Sequence, residues 1–387
     1  MMGTQGSSWT LILRFVLFLL PAHGGAAAPS EDTWMGIERV VAVGDLHGDY
    51  DQCVKVLRSA GLIDERGAWT GGKTHLVQTG DVLDRGPDSR KAMDLLMRLE
   101  GEARAAGGEV HALLGNHEAM NVYGDLRYVS PGEYAAFRDA NSEKARDALY
   151  AEHQKELQAS LPPGRVPKFD DTYRRHWDSE HPLGYAEHRR AFGPEGTYGK
   201  WIRRHNAVIR VNGILFLHGG ISPAYLNRSV REMNELIRGE LEDFAKLKGG
   251  IAMDPEGPLW YRGLAQDDEK LLGAHVESVL KAFDVQRVAI GHTFTEGAVV
   301  PRFGGKVLMI DVGLSKVYDP RGRMACLVLE KEKASILHRG KPLELPTDSG
   351  KDLLRYFKEA AALDPTPSPL GRRIAELETR LGEPGRK

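Results

Sequence analysis

Five short apolar runs punctuate the chain, and each stops at a glycine or histidine. Arg39–Val43, Thr74–Thr79, Glu109–Leu114, Gly213–Leu217 and Arg287–Ile290 are continuous rather than alternating, the pattern of strands covered on both faces. Helical spacing follows the first two. Cys53, Val54, Leu57 and Ala60 share one side of Tyr50–Ala60, and Ala92, Met93, Leu95, Leu96 and Leu99 share one side of a helix that starts at Pro87-Asp88-Ser89 and runs to about Glu100. Strands alternating with helices predict βαβ units and a largely parallel centre. A late pair, Lys306–Ile310 and Met324–Leu329, reads as further sheet, with Lys333–His338 behind it and antiparallel additions joined by short loops.

Three stretches depart from this pattern. Residues 121–205 are rich in Arg, Asp, Glu, His and Tyr; a structureless loop of that length is improbable, so a mostly helical insertion is expected. Beyond about residue 345 comes a tail with a Pro-rich linker, Asp364–Pro369, and a short amphipathic helix carrying Ile374, Leu377 and Leu381, which either docks or frays. At the other end, Leu11–Ala22 is apolar but interrupted by Arg14 and shorter than the roughly 20 residues a membrane span needs. With Ala26-x-Ala28 behind it, the segment 1–28 reads as a secretory signal, which implies export to a periplasmic or extracellular space and no stable membrane insertion after processing. The competing reading is an uncleaved or mis-started N-terminus. The main domain is then expected over residues 36–345.

Charge changes the picture by exclusion. Fifty-two Lys and Arg face 54 Asp and Glu across 387 residues, so no global basic field exists to hold nucleic acid, and any anion site must be local. Two cysteines exclude a disulfide framework and a four-cysteine metal site. A cysteine phosphatase needs Cys-x5-Arg, but Cys53 has Ser59 at that position and Cys326 has Glu332. Both thiols lie in apolar segments and are expected to be buried and free.

The chemistry gathers where the apolar runs end. They continue as Gly44-Asp45-Leu46-His47-Gly48, Gly80-Asp81-Val82-Leu83-Asp84-Arg85-Gly86, Gly115-Asn116-His117-Glu118, His218-Gly219-Gly220 and Gly291-His292-Thr293. In open α/β sheets the ligand crevice lies at the carboxyl ends of the strands. Asp45, Asp81 and Asn116 are 36 and 35 residues apart, close to one βαβ unit, so parallel neighbours would bring them together. Oxygen and imidazole donors without thiolate suit Zn, Fe, Mn or Ni. Six donors (Asp45, His47, Asp81, Asn116, His218 and His292) exceed what one ion takes, and fit two ions sharing a carboxylate, with Asp81 as the expected bridge. Such a pair would hold a hydroxide between the ions.

These blocks, in this order, resemble the phosphoprotein phosphatase group of the calcineurin-like metallophosphoesterases. The strings LLGNHE, GDLRYVS, GYAEHRRAF, YGKWI, LHGGISP, LWYRG and IDVGLS are most similar to the Shewanella-like protein phosphatase branch. The resemblance covers about residues 38–330. It implies a four-layer α/β/β/α sandwich with the helical insertion beside the site. It implies two metal ions, Mn, Fe or Zn, one on Asp45, His47 and Asp81 and the other on Asp81, Asn116, His218 and His292. It also implies His117 as general acid, Asp84 as the carboxylate that orients it, and Arg85 as a phosphate clamp. Arg262 is the candidate second clamp. Leu114 stands where Ser/Thr enzymes carry an arginine, and Asp311-Val312-Gly313 replaces their tyrosine motif. The expected activity is hydrolysis of a phosphomonoester on a phosphorylated protein or peptide, leaning to phosphotyrosine, by direct attack of the metal-held hydroxide. Competing readings are a dinucleoside-polyphosphate hydrolase with the same ligands, and a non-catalytic module that keeps the metal only as scaffold.

Structural roles are expected for the remaining polar residues. Asp49 and Asp51 are read as helix caps and Glu118 as a structural hydrogen-bond partner. His75, His111 and His275 are expected in the core, and His153, His176, His181 and His188 in solvent. Arg203, Arg204 and Arg210 are assigned to the surface. Tyr123, Trp201, Trp260 and Tyr261 either wall the pocket or pack in the core.

Overall fold

The computed structural model describes residues 31–382, apart from 332 and 348; the expected signal segment 1–28 lies outside the described residues. Among the described residues, twelve strands form two six-stranded sheets. In chain order these are β1 (Thr33–Trp34), β2 (Arg39–Val43), β3 (His75–Gln78), β4 (Glu109–Ala112), β5 (Val208–Val211) and β6 (Ile214–Leu217). Then follow β7 (Arg287–Ile290), β8 (Val300–Arg302), β9 (Val307–Met309), β10 (Ala325–Glu330), β11 (Lys333–His338) and β12 (Lys341–Glu344). One sheet runs β12-β11-β10-β2-β3-β4 and the other β1-β5-β6-β7-β9-β8.

The parallel centre is as the apolar runs predict. β2, β3 and β4 pair in parallel, with Val41 opposite Leu76 and Leu76 opposite Val110. In the other sheet β6, β7 and β9 are parallel and β5 and β8 pair antiparallel to β6 and β9, while β10, β11 and β12 extend the first sheet antiparallel from β2. Both late runs are strands, as expected, but in different sheets. Lys306–Ile310 yields β9 in one sheet, whereas Met324–Leu329 yields β10 in the other, beside β2. Both are short apolar runs, and periodicity does not say which sheet a run joins.

Helices flank the sheets. α1 (Tyr50–Ser59) is capped by Asp49, whose carboxylate accepts from the Gln52 amide at 3.1 Å. α2 (Ser89–Ala105) runs a turn and a half past the expected end and buries Met93, Leu96 and Leu99 completely. Each such side chain contributes roughly 1.5–3 kcal/mol by leaving water. α3 (Asn116–Tyr123) begins on a strand-end motif. The expected insertion is helical: α4 (Pro131–Phe137), α5 (Ser142–Ser160), α6 (Asp171–Glu180), α7 (Tyr185–Phe192) and α8 (Thr197–Arg203).

The tail docks. A helix over Gly350–Leu363, absent from the expectation, buries Tyr356, Phe357 and Ala360, and the expected last helix (Gly371–Gly382) buries Leu377. Asp364 between them binds His338 Nε2 at 3.0 Å and Arg339 Nε at 2.7 Å, which ties the hairpin to β11 and its turn. No helix among the described residues is long and apolar enough to cross a membrane.

Candidate metal-phosphoester site

Each chemical block follows a strand at its carboxyl end. Asp45 and His47 follow β2, Asp81 follows β3, Asn116 follows β4, His218 follows β6 and His292 follows β7. The first four come from one sheet and the last two from the other. The backbone leaves the strands abruptly: His47, Asp81, Asp84, Arg85 and His292 all have φ between 44° and 69°. For non-glycine residues that region costs of order 1–3 kcal/mol and persists at sites where the surroundings impose it. Glycine is required where chains close in. A Cβ on Gly291 would stand 2.5 Å from Asp45 Oδ1, and one on Gly115 would fall on the Asp81 carboxylate.

The six expected ligands are brought together. Asp81 Oδ2 lies 3.2 Å from His218 Nε2 and 3.7 Å from His47 Nε2. Asp45 Oδ2 is 3.9 Å from His47 Nε2, and Asn116 Oδ1 is 3.0 Å from His218 Nε2. Two groups of donor atoms fall within 4.8 Å of one another, His47–Asp81–His117 and Asp81–His218–His292, with Asp81 common to both.

The donor set fits cations. His47 Nδ1–H donates to Leu83 O at 3.1 Å, and His218 Nδ1–H donates to Thr79 O at 2.8 Å. His47 Nε2 thereby faces the carboxylates of Asp45 and Asp81, and His218 Nε2 faces Asp81 and Asn116 Oδ1, an arrangement of donors that a cation among them would satisfy. His292 Nε2–H is spent on Trp260 O at 3.1 Å, and its Nδ1 lone pair faces Arg262 Nη2 at 3.4 Å. Burial pushes the His47 imidazole down to about 3 and His292 well below the usual range, so both present lone pairs at neutral pH. Burial, reinforced by Asp311 and Asp81, holds the Asp45 carboxyl well above the usual value. Burial would raise Asp81 too, but His117, His218 and His47 outweigh it and hold Asp81 well below.

His117 differs from the ligands in its attachment. Its Nδ1–H donates to Asp84 Oδ2 at 2.5 Å, both groups being buried, while Nε2 stays 3.7 Å from Asp81 Oδ2. Burial alone would lower its pKa; Asp81 and Asp84 outweigh that and raise it above the ordinary histidine value. Arg85 is exposed, and its guanidinium lies 5.0 Å from the Tyr128 ring and 5.8 Å from the Tyr318 ring. Arg262 also reaches the site, but its Nη1 donates to His292 O at 2.6 Å and Thr293 Oγ1 at 3.0 Å.

Several supports escaped the sequence reading. Asp84 Oδ1 accepts from Asn121 Nδ2 at 2.9 Å, and the Asp84 amide donates to Glu133 Oε1 at 3.1 Å. Tyr128 O accepts from the Arg85 amide at 2.9 Å, and the Tyr128 ring lies 5.0 Å from that of His117. Asp311 follows β9 and presses on Asp45; burial pushes it up to about 6. Its signal was visible, since Ile310-Asp311 repeats the pattern of an apolar run ending in Asp.

The expected structural roles divide. Glu118 accepts from the amides of Asp81, Val82 and Gly115 at 2.8–2.9 Å and so shapes two of the loops. His75 and His111 bond one another at 3.0 Å in the core, and His275 Nε2 is satisfied by Ile221 O. Trp201 is core, donating to Glu100 at 2.8 Å, while the half-buried Trp260 stands 6.1 Å from His292. Asp51 caps nothing and pairs with Lys316 at 3.0 Å. His188 is corrected: it is fully buried against Tyr134, Phe137 and Phe192. His181 stacks on Trp177 at 4.1 Å, and Arg203 is buried, donating to Leu241 O and Gly193 O. Cys53 and Cys326 are free and buried, their thiols pushed up to about 12 by burial.

Residues 38–295 match the family model for the calcineurin-like phosphoesterases. The chain is 31% identical over 304 residues to Shewanella-like protein phosphatase 2 of Arabidopsis thaliana, covering 72% of each. It is 26% identical to Shewanella-like protein phosphatase 1 of Plasmodium berghei, covering 78% of this chain and 76% of that one. Among solved structures, the cold-active protein-tyrosine phosphatase of a psychrophilic Shewanella species is similar at a TM-score of 0.62 and 28% identity, over 81% of this chain and 82% of that one.

Proposed function

Because this chain belongs to the calcineurin-like phosphoesterase family and is a hydrolase, we propose that it removes phosphate from phosphorylated proteins, with phosphotyrosine preferred. The observation that carries this reading is the buried His117–Asp84 pair beside the ligand cluster. A metal scaffold has no use for a proton donor, whereas cleavage of a phosphoester needs one for the departing oxygen.

Asp45, His47, Asp81, Asn116, His218 and His292 would hold two cations, of Mn, Fe or Zn. When bound they supply an acidified water and positive charge on the phosphoryl group. The other duties fall to the chain. Arg85, free of hydrogen bonds from its guanidinium among the described residues, offers a planar fork to two phosphoryl oxygens. Asp84 fixes the His117 proton on Nδ1 and stabilises the imidazolium, so that Nε2 carries the proton given to the leaving oxygen. Arg262 borders the phosphate position and holds the His292 loop through its carbonyl. The rings of Tyr128 and Tyr318, both within 6 Å of the Arg85 guanidinium, favour an aromatic leaving group, and the Shewanella relative is named a tyrosine phosphatase. The apolar segment before Ala26-x-Ala28 favours export; the N-terminal mass of the secreted chain tests it.

The decisive assay sets phosphotyrosine against phosphoserine peptides and p-nitrophenyl phosphate, before and after chelation and readdition of Mn²⁺. Hydrolysis that chelator abolishes and metal restores, fastest on phosphotyrosine, is expected. Activity indifferent to chelator overturns the metal reading, and a phosphoserine preference overturns the aryl one.

A further inference from the structure

Beside the catalytic centre lies a cleft of about 420 Å³ between the loop after β7, the loop before β10 and the C-terminal hairpin. Its shared wall with the site is Tyr318. That ring lies 5.8 Å from the His47 ring on one side and stacks on Phe294 at 5.2 Å, tilted by 14°, on the other. Three guanidiniums line the cleft, from Arg321, Arg323 and Arg372, against the carboxylates of Glu296 and Asp319.

Two of the three are matched. Asp319 is taken by Arg321, which reaches Oδ1 at 2.9 Å and Oδ2 at 2.8 Å. Glu296 is taken by Arg372 and by Arg373 at 3.5 Å. Arg323 is the least matched of the three. It is 9% exposed and lies 4.5 Å over the Phe294 ring. Its Nε and Nη1 hydrogen-bond to nothing among the described residues, and its nearest carboxylate oxygen, on Asp319, is 3.8 Å away. A buried guanidinium with unmet donors costs free energy that an incoming anion recovers.

Resting on the phosphoprotein phosphatase reading, we propose that this cleft is a specificity subsite for a carboxylate side chain flanking the phosphorylated residue, with Arg323 as its anchor and the C-terminal hairpin as its outer wall. The path Arg85–Tyr318–Phe294–Arg323 proceeds in steps of 5.8, 5.2 and 4.5 Å, so the two guanidiniums are at most about 16 Å apart. At roughly 3.3 Å per extended residue, the acidic residue lies within five positions of the phosphoresidue.

The test is a set of phosphotyrosine peptides carrying Glu or Gln at each position within five residues of the phosphate, assayed with the metal-loaded full chain. The readout is the Glu/Gln ratio of kcat/KM, which a general loss of activity does not move. At one position the ratio is expected near tenfold, carried by KM. In Arg323→Gln it falls below twofold. In Arg372→Gln, whose side chain is 68% exposed and easily replaced, it falls as well, because Glu296 at the cleft then keeps only Arg373, 3.5 Å away, to offset its charge. A ratio near one at every position in the wild type overturns the subsite. So does a ratio that survives in folded Arg323→Gln; should that variant not fold, an unchanged ratio in Arg372→Gln overturns it. If no peptide loses phosphate, the phosphatase reading itself has failed; if all lose it at one rate, only the subsite has.

Discussion

Replacing Asp84 by Asn tests the proposed proton donor apart from the rest of the site. Asn121 Nδ2 donates both to Asp84 Oδ1 at 2.9 Å and to the His117 carbonyl at 3.0 Å, so its orientation is fixed and it demands an oxygen from residue 84. An asparagine that satisfies Asn121 therefore turns its NH₂ toward His117 Nδ1, which must then give up its proton and accept. The imidazolium loses its counter-charge. For unit charges about 4 Å apart at an effective dielectric near 20, that interaction is about 4 kcal/mol, and each 1.36 kcal/mol is tenfold in rate. Three decades is the ceiling, and Asp81, 3.7 Å from Nε2, retains part of the stabilisation. The expected fall in kcat is about 10²- to 10³-fold, within the usual contribution of a general acid. The assay compares leaving groups in the metal-loaded enzyme. The fall should be full for phosphotyrosine, whose phenol has a pKa near 10, and much smaller for p-nitrophenyl phosphate, whose more acidic phenol departs with little need of a proton. A loss of equal size on both substrates, or none on phosphotyrosine, refutes the role given to the pair.

Asp81→Asn removes the carboxylate shared by both donor groups; elemental analysis should find bound metal reduced and turnover abolished, and full activity would contradict the ligand assignment. Gly291→Ala puts a methyl group 2.5 Å from Asp45 Oδ1 and 2.9 Å from Thr79 Oγ1. A melting curve should show a loss of about 1–3 kcal/mol, as for other overpacked sites, together with weaker metal binding; an unaffected variant would mean the strand ends are slack. Burial would raise the Asp364 carboxyl, but His338, Arg339 and Ser368 outweigh it and hold it below the usual value. A carboxylate depressed in the folded state adds stability above its unfolded pKa near 3.9 and loses it as pH falls through the lower folded value. Protease digestion should thus release the C-terminal hairpin only in acid, and Asp364→Asn should release it at neutral pH. Identical digestion of the two proteins at pH 7 would argue against this tie.

The sheet centre was legible because covered parallel strands are written as unbroken apolar runs. Arg39–Val43 and Arg287–Ile290 were read to the residue. The strands that escaped lacked length or a one-dimensional signal. β1 has two residues, while β8 and β12 carry Pro301 and Pro342, which argue against a strand. The helix over Gly350–Leu363 carries an apolar stripe of Leu353, Tyr356, Phe357 and Ala360 at helical spacing, a signal that was present in the sequence and passed over. In the site, the candidate donors adjacent to glycines at strand ends were legible as a group that the fold brings together. Tyr128, Asn121 and Glu133 were not, because their importance arises from the insertion folding back over Arg85 and Asp84, a tertiary fact. His188 misled for the same reason: its helix is polar in sequence, yet the face it presents lies against Phe137 and Phe192.

The donors come from both sheets, Asp45, His47, Asp81 and Asn116 from one and His218 and His292 from the other. A metal held there would be a rivet as much as a reagent. Whatever free energy cations gained from holding side chains of both halves would also keep the halves together. Starving the protein of metal should accordingly loosen the sandwich along the line where its two leaves meet.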